Sequence, residues 1–141
     1  MIPQPAPCHP SDSTKALNRL PQLGQPRLHF DVLEEARQLR DQESWRLGAE
    51  RSSKTLVKYT DFRIVLVAIR AHALMKEHRT AGQISIQTVL GRLRVPLENE
   101  VVELPAGELL ALDCGIPHGV EAVQDSVFLL TIAWPKGVAH E

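Results

Sequence analysis

At 141 residues the chain is long enough for one domain whose core needs no disulfide or metal staple. Its 16 basic and 17 acidic residues leave a formal net charge of −1, which gives no electrostatic footprint for nucleic acid or an anionic membrane surface. Cys8 in a proline-rich stretch and Cys114 in a turn pattern do not make a disulfide framework, so a reducing compartment is expected. No apolar run approaches the roughly 18 residues of a membrane span. The first ten residues also lack the basic and apolar regions of a signal peptide. A cytoplasmic protein with neither a nucleic-acid nor a membrane partner is the expectation.

Residues 1–26 hold six of the ten prolines, which remove backbone donors and fix φ, so they read as a flexible arm. Leu17, Leu20 and Leu23 would let part of that arm pack against the domain or a partner chain. Residues 27–53 read as a helix and a lead-in, and residues 54–141 as a β-barrel domain. The helix begins at Asp31, which can cap it, with Glu34 three residues later completing a capping-box pattern. Val32, Leu33, Ala36 and Leu39 recur at helical spacing and form an apolar stripe suited to lie on a sheet.

Beyond Trp45 the period changes to that of strands. Strand patterns run over 54–59, 63–70, 74–79, 84–90, 92–96, 101–104, 109–113, 118–123 and 126–134. Turn signals such as Thr80-Ala81-Gly82, Glu98-Asn99-Glu100, Pro105-Ala106-Gly107 and Gln124-Asp125 separate them. Many short strands at this spacing predict an all-β sandwich or barrel. The 126–134 segment, rich in Val, Phe, Leu and Ile, predicts a buried strand, partly at a subunit contact. Pro135 would end it, because proline cannot donate to a ladder.

Two segments carry the chemistry. In the first, Gly107 is followed after five residues by Asp113-Cys114-Gly115 and, after two more, by His118, with Pro117 stiffening the turn just before the histidine. In the second, Lys76-Glu77-His78 ends a strand pattern and Gly91 closes the next strand pair. Over roughly residues 54–134 this arrangement resembles the cupin superfamily, whose members are double-sheet β-barrels of the jelly-roll type. The Gly107–His118 spacing is similar to the second cupin motif, with Asp113 in place of its proline and Ala122 in place of its asparagine. Lys76-Glu77-His78 stands where the first motif has His-x-His, and Arg70 stands where it has an upstream glycine. The chain looks most like small single-domain bacterial cupins of unassigned function, and a homodimer is what that resemblance implies.

The resemblance also implies a divalent iron, manganese, nickel or zinc ion held by three imidazoles and a carboxylate. This sequence departs from that shell. Lys76 replaces the first histidine, and the glutamate position falls on Gln83 or Ile84, depending on the motif end from which it is counted. If Ile84 and Ile86 face the interior, strand alternation turns Gln83, Ser85 and Gln87 away from it. His78, His118 and Gln83 are the candidate metal ligands, a poor set by the usual ligand preferences. His72 is a spare imidazole, better read as a surface histidine at the turn.

A metal-free reading places Lys76, His78 and His118 around an anionic or carbonyl-bearing small molecule, with histidine moving a proton near neutral pH. A third possibility is that His118 only braces its turn while Lys76 snorkels to solvent. Cys114 beside His118 is most simply a small residue in a turn. Arg92 and Arg94 alternate with Leu93 and Val95, as on one solvated sheet face. The sequence thus predicts a small-molecule-binding cupin with a degenerate or absent metal site. A metal-dependent oxygenase or isomerase acting on a small polar substrate is the alternative.

Overall fold

A computed structural model describes residues 23–135; of the proposed arm over 1–26, residues 1–22 lie outside the described residues. Helix α1 (Val32–Arg40) starts where Asp31 Oδ1 accepts the Glu34 backbone N–H at 3.1 Å, satisfying one of the donors that a helix start leaves open. Ala36 and Leu39 are fully buried and Val32 packs with them, whereas Leu33 is 39% exposed. The buried stripe is therefore narrower than the sequence spacing suggested. A four-residue helix, α2 (Glu43–Arg46), follows and buries Trp45.

Among the described residues nine strands come next: β1 (Arg51–Lys58), β2 (Phe62–Ile69), β3 (Leu74–His78), β4 (Gln83–Leu90), β5 (Arg92–Pro96), β6 (Val101–Pro105), β7 (Leu109–Leu112), β8 (His118–Ala122) and β9 (Ser126–Ala133). They form two antiparallel sheets, ordered β1-β2-β9-β4-β7 and β3-β8-β5-β6. The strand β9 lies in the middle of the larger sheet with both faces covered, which is why its sequence is almost wholly apolar. The fold is all-β, a jelly roll of two facing sheets with helices added outside.

Alternation assigns each strand's faces. On β2, Val67 and Ile69 face the other sheet, while Leu66 and Ala68 face the helices. Ile84 and Ile86 of β4, Phe128 of β9, Leu93 and Val95 of β5, Leu104 of β6 and Val120 of β8 complete the core between the sheets. A second core lies outside the larger sheet, where Ala36, Leu39 and Trp45 cover Leu56, Leu66, Ala68 and Val127.

Arg70, at the position of the first motif's upstream glycine, ties these layers together. Its guanidinium stacks 3.7 Å from the Trp45 ring centroid, donates to the Trp45 carbonyl, and lies 3.5 Å from Asp125. The outer face of the smaller sheet carries the predicted charges. Arg94 and Arg92 both pair with Glu103, and Arg94 also approaches Glu121. The short Arg94 hydrogen bond holds the Glu103 carboxyl below its ordinary range.

Candidate functional site: the cavity between the sheets

The strands β7 and β8 are joined by the turn of the second motif. Asp113 Oδ1 accepts the Cys114 N–H at 2.8 Å and the Gln83 amide at 3.1 Å, an arrangement that also lowers the Asp113 pKa, the Cys114 backbone bond contributing most. Gly115 takes a φ of +77°, and its N–H bonds the Thr80 carbonyl at 3.0 Å. The β7–β8 turn is therefore fastened to the β3–β4 turn. His118 opens β8 from this platform with only 2% of its surface exposed. Its Nδ1 lies 2.9 Å from the Ile116 carbonyl oxygen. A carbonyl only accepts, so Nδ1 carries a proton, and in a neutral ring the lone pair would then lie on Nε2.

His118 lines a cavity of about 220 Å³ at the end of the barrel where β2, β4 and β8 begin and β9 ends. Ile84, Ile86, Val120, Phe128, Leu130 and Ile132 make its walls, and Met75 closes one side. Three polar or amphipathic groups join His118 there: Arg63, Thr80 and Trp134. Thr80 Oγ1 accepts the Gly82 N–H at 3.1 Å, and its own hydroxyl hydrogen can still be donated. The Arg63 guanidinium sits 5.0 Å from the Trp134 ring centroid, and its Nε is buried with no hydrogen-bond partner. Sequence reasoning missed Arg63 and Trp134. The available signal was parity: Arg63 shares it with inward-facing Val67 and Ile69, and Trp134 with Phe128 and Ile132.

The sequence-predicted site residues are placed differently from one another. His118 is in the cavity wall. Lys76 is exposed and does not line the cavity. Gln83 is also exposed, on the face opposite Ile84 and Ile86, and its amide is held by Asp113. The β3–β8 register pairs Met75 with Val120 and then His78 with His118, so Lys76 and Glu77 together oppose Gly119. This bulge ends simple alternation between Lys76 and His78 while setting the His78 backbone directly across from His118. His72 is exposed at the turn before β3, with a φ of 70°.

A divalent cation would have to be held by these donors. An imidazole whose Nδ1–H is fixed by a carbonyl is well prepared to ligate through Nε2. A catalytic metal site nevertheless needs about three protein ligands. No group of three or more His, Cys, Asp or Glu side chains comes together among the described residues. The charged side chain that does line the cavity, Arg63, is a cation and would repel a metal ion. Among the described residues the donor set does not fit.

A larger, shallow groove of about 500 Å³ runs beside α1 between Glu34, Arg40, Trp45 and Leu90. Within it Glu34 is already bonded to Gln38 and paired with Arg37.

Comparison with solved structures identifies the architecture. A cupin superfamily protein from Desulfitobacterium hafniense superposes with a TM-score of 0.65 at 14% identity, over 81% of this chain and 96% of that one. The chain has a cupin fold. An RmlC-like cupin from Desulfovibrio desulfuricans is 26% identical to this chain over 60% of this chain's length and 82% of the other's, with a TM-score of 0.55. A salicylate 1,2-dioxygenase variant from Pseudoaminobacter salicylatoxidans matches 74% of this chain but 34% of its own, at 13% identity and a TM-score of 0.61. No protein-family model and no curated protein match the sequence. Among the described residues, no helix is long and apolar enough to cross a membrane.

Proposed function

We propose that this cupin binds a small organic molecule in the cavity between its sheets, without a resident divalent metal. The observation that carries the reading is the cavity's composition. Apolar walls surround a buried imidazole and an arginine, which is the chemistry of a ligand pocket with a few polar anchors. His118 would offer Nε2 to the ligand as an acceptor or, once protonated, as a donor. Lys76 and His78, the other residues singled out in the sequence, lie on β3, the strand paired with β8. Lys76 would act only at the rim of the pocket.

A metal-dependent enzyme, an oxygenase or isomerase acting on a small polar substrate, is the second reading. The observation favouring it is the β3–β8 register that sets His78 opposite His118. A thermal-shift screen of small metabolites against the wild type and His118→Ala tests the first reading. It expects stabilising hits that weaken in the variant while the variant keeps its fold. Hits unaffected by His118→Ala, or stabilisation only by divalent metal salts, would count against it.

A further inference from the structure

We infer that the cavity takes a small carboxylate with an apolar body and that Arg63 receives its charge. The inference rests on reading the cavity as a ligand site and adds to that reading the class of ligand.

Arg63 is set apart by its place: it lines the cavity with a buried Nε that has no hydrogen-bond partner. Arg37, Arg70, Arg92 and Arg94 each lie against an acidic side chain. Arg63 has no ion pair among the described residues, although its Nε is buried. A buried donor on a permanent cation is costly to leave unmatched. Trp134 covers the guanidinium 5.0 Å from its ring centroid, which offsets part of that cost through the ring quadrupole. An aromatic face is only a weak acceptor for an N–H, however. A guanidinium presents its donors as a planar fork, and the best match to that fork is the pair of oxygens of a carboxylate.

The remaining surface sets the rest of the ligand. Beyond Arg63, His118, Thr80 and the Trp134 indole the walls are hydrocarbon and thioether, so a polyhydroxylated or multiply charged body would lose hydration without replacement partners. At roughly 30 Å³ per water-sized group, the cavity of about 220 Å³ holds about seven non-hydrogen atoms. The ligand class is thus a monocarboxylate with a short branched or cyclic apolar portion, its second polar contact made to Thr80 or His118.

Isovalerate and its neutral isostere isovaleramide are suitable probes because they differ in charge and little in shape. Each would be titrated into the full chain while the Trp134 indole and Val120 amide are followed by two-dimensional NMR. The acid should saturate these signals at about a tenfold lower concentration than the amide, the usual scale of one charge-assisted hydrogen bond. Arg63→Gln should abolish that preference, and Arg63→Lys should keep part of it, so that a poorly folded Gln variant does not decide the matter alone. Equal saturation by acid and amide in the wild type overturns the charge assignment while leaving the cavity a ligand site. A preference that survives in Arg63→Gln also overturns it. If neither probe moves the cavity signals, the carboxylate assignment fails, and the metabolite screen with His118→Ala judges the cavity reading separately.

Discussion

Replacing Gly91 by alanine should be among the most damaging single-methyl additions to this fold. Gly91 joins β4 to β5 with a φ of +85°, where an L-residue carries a conformational cost of about 1–2 kcal/mol. The added Cβ would also lie 2.5 Å from the Asp125 carbonyl oxygen and closer still to Ser126 Oγ. Ser126 is fully buried, and its hydroxyl accepts the Arg92 N–H at 3.0 Å while facing the Gln124 carbonyl at 2.7 Å. Displacing that hydroxyl strands part-buried backbone groups, adding about 1–3 kcal/mol.

The total of about 2–5 kcal/mol is a large share of a typical domain stability of about 5–15 kcal/mol. Gly107 provides the control. Its φ is +92°, but an added Cβ there meets nothing within 4 Å, so Gly107→Ala should cost only the conformational part. Urea unfolding of both variants, with m-values compared, measures the difference. Equal losses in the two variants, or a Gly91→Ala loss below about 1 kcal/mol, would refute the packing argument.

Other outcomes follow from particular contacts. Thr88 is fully buried and donates to the Leu104 carbonyl at 2.8 Å, linking β4 to β6, so Thr88→Val should destabilise by about 1–3 kcal/mol in urea at an unchanged m-value. His72 holds a φ of 70° while exposed, so His72→Gly should leave the urea midpoint unchanged or raise it, whereas a loss would assign its side chain a structural role. The Asp113 carboxyl is depressed, so the bonds its carboxylate accepts add stability that is complete above the ordinary Asp pKa. That stability fades as pH falls through the folded value. A carboxyl-detected NMR titration should place Asp113 below the usual Asp range, and Gln83→Ala should raise it only in part because the Cys114 N–H remains.

Much of the fold was legible because strand alternation and turn residues agree along the chain. The inward faces of β4, β5, β8 and β9 all follow from a period of two, and the Gly107–His118 spacing located the turn that delivers His118 into the core. The first motif was less legible. Alternation relates Lys76 to His78 only in an unbroken strand, and the β3 bulge opposite Gly119 depends on a cross-strand pairing that local sequence does not encode. Arg63 escaped notice for a related reason. A charge at the end of an apolar segment reads as the strand's solvent boundary, and only its shared parity with Val67 and Ile69 reveals that it faces inward. Leu33 is the opposite case, an apolar residue counted into the helix stripe that the sheet does not reach.

The reading of this cavity as a metal-independent ligand pocket is tested most directly by elemental analysis of protein purified without chelator. The account predicts a content of iron, manganese, nickel and zinc far below one ion per chain, unchanged by His118→Ala. One bound ion per chain, lost in His118→Ala and in His78→Ala, would contradict it and favour the metal-dependent enzyme.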